Sequence, residues 1–249
     1  MKKTFILWIS AFVVVFLVSY FKIIFSENYP VSGTISIDGE KITYKLDKQA
    51  YGSSHTIMIR TDLNDLDMKA IILNNNFRDT LSFIKSNGFY KTTFERKTTG
   101  QSFEYKVLIR KNETERIIPV NSTVQFFFFG KISRMLAILH WLFLFSGLIL
   151  ITRTGLDYFN DNLKAKKIIL LSDVIWLTFL FLINPLYLSY KYEYINHLIT
   201  PIENLFPLSY LIIFIILIIT TILIFRKSFQ KKPVSLIGAV LVLIAYLLS

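Results

Sequence analysis

The sequence predicts an α+β protein in which a block of short antiparallel strands interrupts a series of long apolar helices. Three observations carry that expectation. Of the 249 residues, 53% are hydrophobic and only 18% charged, and the mean hydropathy of +0.49 is too high for an ordinary soluble domain. Apolar runs of the length that crosses a bilayer core of about 30 Å as a helix recur at Phe5–Phe25, Ile132–Thr152, Ile168–Tyr190 and Phe206–Phe225, with a shorter one at Val234–Leu248. Between the first and second runs, over residues 26–131, the hydrophobic period changes to two.

The first run follows Met1-Lys2-Lys3 and continues past the 7–15 apolar residues of a secretory signal, and no A-x-A-like cleavage site follows it, so residues 1–25 are expected to stay as a membrane anchor. Residues 132–249 are expected to form a helical membrane domain with spans near 132–152, 168–190, 206–225 and 234–248, giving about five transmembrane helices in all. The last run is short for a span.

The net charge of +11 reads as nucleic-acid affinity only until the charges are placed. Lys2, Lys3, Arg153, Lys164, Lys166, Lys167, Arg226, Lys227, Lys231 and Lys232 fall on one side of the alternating spans, and Lys191 alone lies in the loop between the third and fourth. The positive-inside rule puts the first group in the cytoplasm. Residues 26–131, with 15 basic and 12 acidic residues, then face outward, and nucleic acid is not an expected partner. Asp157 and Asp161 sit among the inner charges and carry little weight in that rule. The chain has no cysteine, which excludes disulfides, thiolate metal sites and c-type haem attachment. The bias toward Ile, Phe, Lys and Asn suits an AT-rich bacterial genome, and the expected location is the inner (cytoplasmic) membrane of a bacterium.

Within the outward block, "TISIDGEKITYKL" is the clearest local signal: two alternating runs flank Asp38-Gly39, a pair suited to a type I′ hairpin turn. "FEYKVLIR" alternates again, and weaker runs occur at Thr56–Arg60, Met68–Leu73, Phe89–Glu95 and Arg116–Val120. Some seven short strands at intervals of about ten residues predict an antiparallel β-sandwich of Ig-like or fibronectin-like type. Such a module either binds a ligand or serves as a spacer. His55, in "YGSSHT", is expected in a solvated turn. Phe126, Phe127, Phe128 and Phe129 cannot alternate in type, so both faces of that stretch are apolar and an interface with lipid or helices is expected there.

Polar groups inside lipid are expensive and point to function or to a buried partner. His140 lies six residues past Arg134, and Asp173 six past Lys167. Asn184-Pro185 interrupts the third span, where Pro185 removes a helix hydrogen bond. Asp173 is expected to pair with Arg153, since consecutive antiparallel spans bring their inner ends together. His140 has two readings. As a cofactor ligand it would share a b-type haem with His197 in the outer loop. As a structural group it would hydrogen-bond a neighbouring helix, Asn184 being one candidate. The structural reading is preferred, because the paired histidines of four-helix cytochromes are absent; no cofactor is expected. The outer loop is rich in tyrosine, as in an interfacial belt, and Thr200-Pro201-Ile202-Glu203 has the form of a capping box.

The order of anchor, outward sandwich and membrane helices resembles a group of uncharacterised bacterial envelope membrane proteins. In these a histidine begins the helix after the sandwich and a small-Arg-x-Gly-Leu motif ends it; here those are His140 and Thr152-Arg153-Thr154-Gly155-Leu156. The third and fourth spans lack the glycine- and tryptophan-rich outer segment of that group. The resemblance implies a topology and no activity. The expected function is therefore non-enzymatic: the sandwich and outer loops bind or scaffold another envelope protein or complex. The alternative is a haem- or quinone-linked redox subunit using His140 and His197, and a transporter ranks third because the spans offer few polar groups along a path.

Overall fold

The computed structural model describes residues 2–74, 77–96, 100–160, 165–194, 202–226 and 230–249. The chain is a mixed α+β protein that divides into two compact units: Glu27–Lys131 with Lys191–Glu193, and Met1–Ser26 with Ile132–Tyr190 and Tyr194–Ser249.

The first unit contains three sheets among its described residues. Strands β1 (Val31–Ile37) and β2 (Glu40–Leu46) form the hairpin predicted at Asp38-Gly39. Asp38 and Gly39 take φ of 50° and 84°, the left-handed pair that a two-residue turn needs to match strand twist. The largest sheet is built from β3 (Gln49–Tyr51), β5 (Asp67–Asn74), β6 (Phe77–Ser82), β9 (Ser102–Lys111), β10 (Thr114–Ile118) and β11 (Val124–Phe129). Its order is β3-β11-β9-β5-β6, with β10 paired to β9 beyond the stretch that holds β11. All its pairings are antiparallel except β3 with β11. The third sheet sets β4 (Ser54–Arg60) and β7 (Ile84–Ser86) on either side of β8 (Phe89–Glu95). Alternating residues of all three sheets enter one apolar core, among them Ile37, Ile42, Ile59, Phe94, Tyr105 and Phe126.

Two expectations are corrected here. Phe126–Phe129 does not present two apolar faces to an interface. Phe126 and Phe128 are 0% and 2% exposed within the core, while Phe127 is 39% exposed. The stretch is a strand paired on both sides, so burial follows the period of two even where residue type does not. His55 is not in a solvated turn: it lies in β4, with its ring 5.0 Å from that of Phe126 and Nε2 3.7 Å from Asp47 Oδ2. Residues 191–193 complete this unit. Gly130 N–H donates to the Lys191 carbonyl at 2.8 Å, Arg96 Nη1 meets Glu193 Oε1 at 2.7 Å, and Tyr192 packs edge-on against Phe129.

The second unit is helical, with α1 (Lys2–Ile24), α2 (Arg134–Leu156), α3 (Ala165–Thr178), α4 (Asn184–Lys191), α5 (Ile202–Leu205), α6 (Leu208–Phe225) and α7 (Lys231–Leu247). Ser133 caps α2, its Oγ accepting from the Leu136 N–H. Among the described residues, four helices are long and apolar enough to cross a membrane: Lys3–Ile24, Arg134–Phe159, Ala165–Lys191 and Leu208–Phe225. The short fifth run forms α7, whose 17 residues extend about 25 Å at helical rise. Small residues set the helix spacing. A Cβ on Gly155 would lie 2.5 Å from that of Ala239, one on Gly238 2.4 Å from the Thr220 side chain, and one on Gly147 2.6 Å from Trp176 Nε1. These contacts hold α2 to α7, α6 to α7 and α2 to α3 at close approach.

Candidate functional site

Three groups of polar side chains stand out in the helical unit. The first surrounds His140. Between α3 and α4 the helix widens into a π segment, Phe179–Ile183, whose closing bond runs from the Asn184 N–H to the Phe179 carbonyl, five residues back. Pro185 has no N–H to give, and the widened turn accommodates that gap in the ladder. A single inserted residue also changes the helix phase. Phe179 and Tyr187 are eight apart and would sit about 80° from one another on an unbroken α-helix; with one residue taken up by the bulge they behave as seven apart, within about 20°. Both rings meet His140, Tyr187 stacked at 3.9 Å between centroids and Phe179 tilted at 5.2 Å. His140 is 5% exposed and Asn184 0%. The Asn184 amide turns to the Leu205 carbonyl at 3.4 Å, so it joins α4 to α5.

The second group closes the other end of α2. Arg153 Nη1 donates to Asp157 Oδ1 at 2.5 Å, with the two side chains 1% and 0% exposed. The Arg153 guanidinium also lies 5.6 Å from the centre of the Trp8 ring of α1, a cation–π distance. Arg153 Nε, Asp157 Oδ2 and Thr152 Oγ1 find no hydrogen-bond partner among the described residues.

The third group is Asp173 of α3 with Thr221 of α6. The Thr221 hydroxyl lies 3.1 and 2.9 Å from the two carboxylate oxygens. The expected ion pair between Arg153 and Asp173 is thus not formed. Arg153 instead takes Asp157, four residues on along the same helical stretch, where the side chains share one face without crossing to another helix. The sequence signal for this pair is the i,i+4 spacing of Asp157 from Arg153, which the expected Arg153–Asp173 pairing does not use.

His197 and the Thr200-Pro201 half of the expected capping box lie outside the described residues. Among the described residues no three of His, Asp and Glu gather into a metal-holding cluster. What the arrangement provides chemically is one buried aromatic imidazole, one buried ion pair and one carboxyl held by a hydroxyl, each tied to a helix contact. Comparison of the chain with family models, curated proteins and solved structures finds no match.

Proposed function

We propose that this chain is a non-enzymatic integral membrane protein of the bacterial cytoplasmic membrane whose residues 26–131 form an Ig-like β-sandwich on the outer side and bind or scaffold another envelope component. The topology rests on ten basic residues at the N-terminus and in the two inner loops against Lys191 alone in the short loop between the third and fourth spans. The sandwich reading draws support from three sheets that share one core and from their mainly antiparallel pairing.

The observation that carries a binding role is the outward face of the β4-β8-β7 sheet. Tyr90, Thr92 and Phe94 of β8 point inward, so Phe89, Lys91 and Thr93 point out. Lys91 stands between Met58 on β4 and Ile84 on β7 in one cross-strand row. Met58 and Ile84 are 54% and 74% exposed, and Phe89, one row along, is half-buried with the Lys91 ammonium 5.7 Å from its ring centre. A row of aliphatic side chains around a cation, on a sheet with two outer strands, suits a partner that brings apolar and acidic groups. A photo-crosslinker at Met58 or Ile84 is expected to capture an envelope component in intact cells, and Ile84→Lys to abolish it. The same capture from a crosslinker at Lys41, or none from either strand, would overturn the binding role.

The alternative, a haem- or quinone-linked subunit, draws on the burial of His140 among aromatic rings. A Soret band in the purified protein, lost in His140→Gln, would put that reading in place of the first.

A further inference from the structure

We infer that the α3–α6 face is a docking site for one transmembrane helix of a partner protein that carries a lysine or arginine at the depth of Asp173. The inference rests on the reading of these helices as membrane spans. Lys166, Leu170, Asp173, Leu177 and Phe181 follow one another at steps of four, three, four and four residues, which is one side of a helix. Leu170, Leu177 and Phe181 are 47%, 52% and 54% exposed, and Asp173 between them is half-buried. Opposite stand Phe214, Thr221 and Phe225 of α6. Phe214 meets Phe181 edge-on at 6.1 Å, and the Lys166 ammonium lies 4.6 Å from the centre of the Phe225 ring. The face is therefore an apolar seam with a carboxyl in its middle.

The carboxyl is under-served there. An ionised carboxylate offers about four acceptor positions, and Thr221 supplies a single hydroxyl proton to its two oxygens. Among the described residues no cation approaches Asp173 within ion-pair distance; the pairs formed are elsewhere. Lys166, the cation on the same face, is seven residues away, about 10 Å along the axis, and covers Phe225. Intramembrane carboxylates pair with basic groups or line a polar path, and along this face of α3 the neighbours of Asp173 are Leu170 and Leu177. A helix with leucines to fit the seam and one basic side chain to meet the carboxyl satisfies both the shape and the charge. A second copy of this chain fits less well. Its Arg153 guanidinium is already taken by Asp157.

The test uses full-length protein in phosphatidylcholine vesicles. The chain lacks cysteine, so Leu248→Cys at an 82% exposed position takes one donor fluorophore. Acceptor-labelled polyleucine transmembrane peptides are added, carrying lysine, leucine or glutamate about 10 Å from the cytoplasmic end. We expect the lysine peptide to associate at least tenfold more tightly than the other two. Asp173→Asn keeps a partner for Thr221 and should reduce that preference to below threefold. Equal binding of lysine and leucine peptides, or an unchanged preference in Asp173→Asn, would overturn the docking site. A fluorophore on Leu177→Cys that brominated lipid fails to quench would instead remove the membrane reading beneath it. Quenching there without lysine preference removes the docking site alone.

Discussion

At the scale of single residues, the buried ion pair of Arg153 and Asp157 is the most consequential contact in the helical unit. Two charges out of water are tolerable only while each has the other. Arg153→Gln or Asp157→Asn alone should each cost about 3–5 kcal/mol of stability in detergent unfolding, as removal of one partner from a buried pair does. The double variant should lose much less than the sum. Asp173→Asn should add independently to Arg153→Gln, since Asp173 answers to Thr221; strong coupling between those two would contradict the geometry. In the sheet unit, burial lowers the His55 pKa from its ordinary 6.5, and Asp47 opposes the shift more weakly. The unfolded chain therefore takes up this proton first as pH falls. The stability that neutral His55 confers is complete above pH 6.5 and is lost as the pH drops through the lower folded-state value. Melting curves from pH 7.5 to 5 should show a fall that His55→Phe flattens. The sequence offered His55 as a turn residue because Gly52, Ser53 and Ser54 precede it, and nothing local revealed that Asp47 and Phe126 would enclose it.

At the scale of elements, legibility followed the range of the signal. The β1–β2 hairpin was readable because its turn chemistry and both alternating arms lie within 16 residues, Val31 to Leu46. Strands β3 and β7 were not, being three residues each and so too short to display a period. The four phenylalanines of β11 hid an alternation that only pairing with β9 and β3 creates. In the third helix, Asn184-Pro185 announced a break, but the position of the π segment and the ring stack it gives His140 depend on how the helix restores its hydrogen bonds. The helix contacts are similarly tertiary: Gly238 is an ordinary glycine in the sequence and a close-packing point in the fold. Gly238→Val should destabilise the α6–α7 contact by about 1–3 kcal/mol through overpacking, read as a lower melting temperature. Because the obstructing atoms are the Thr220 side chain, Thr220→Ala in the same chain should recover part of the loss. A Gly238→Val protein as stable as the parent would mean that α7 shifts freely against α6.

At the scale of the whole molecule, the proposed topology makes its own prediction. Alkaline phosphatase fused after Lys41 should be active and a fusion after Lys164 inactive, with the reverse pattern for a cytoplasmic reporter; activity after Lys164 would invert the orientation. On that topology, Arg153 and Asp157 acquire a meaning tied to time. The pair closes within one continuous helical stretch, α2 and the turn that follows it. Arg153 needs no later helix to reach its counter-charge. As the chain is synthesised, α2 can present a neutralised end to the lipid before α3, α6 and α7 have emerged from the ribosome. An arrangement that relied on Asp173 would have left the guanidinium waiting for another helix to be made. The order of residues along the chain thus lets the second helix settle early and act as the post against which the remaining helices are laid down.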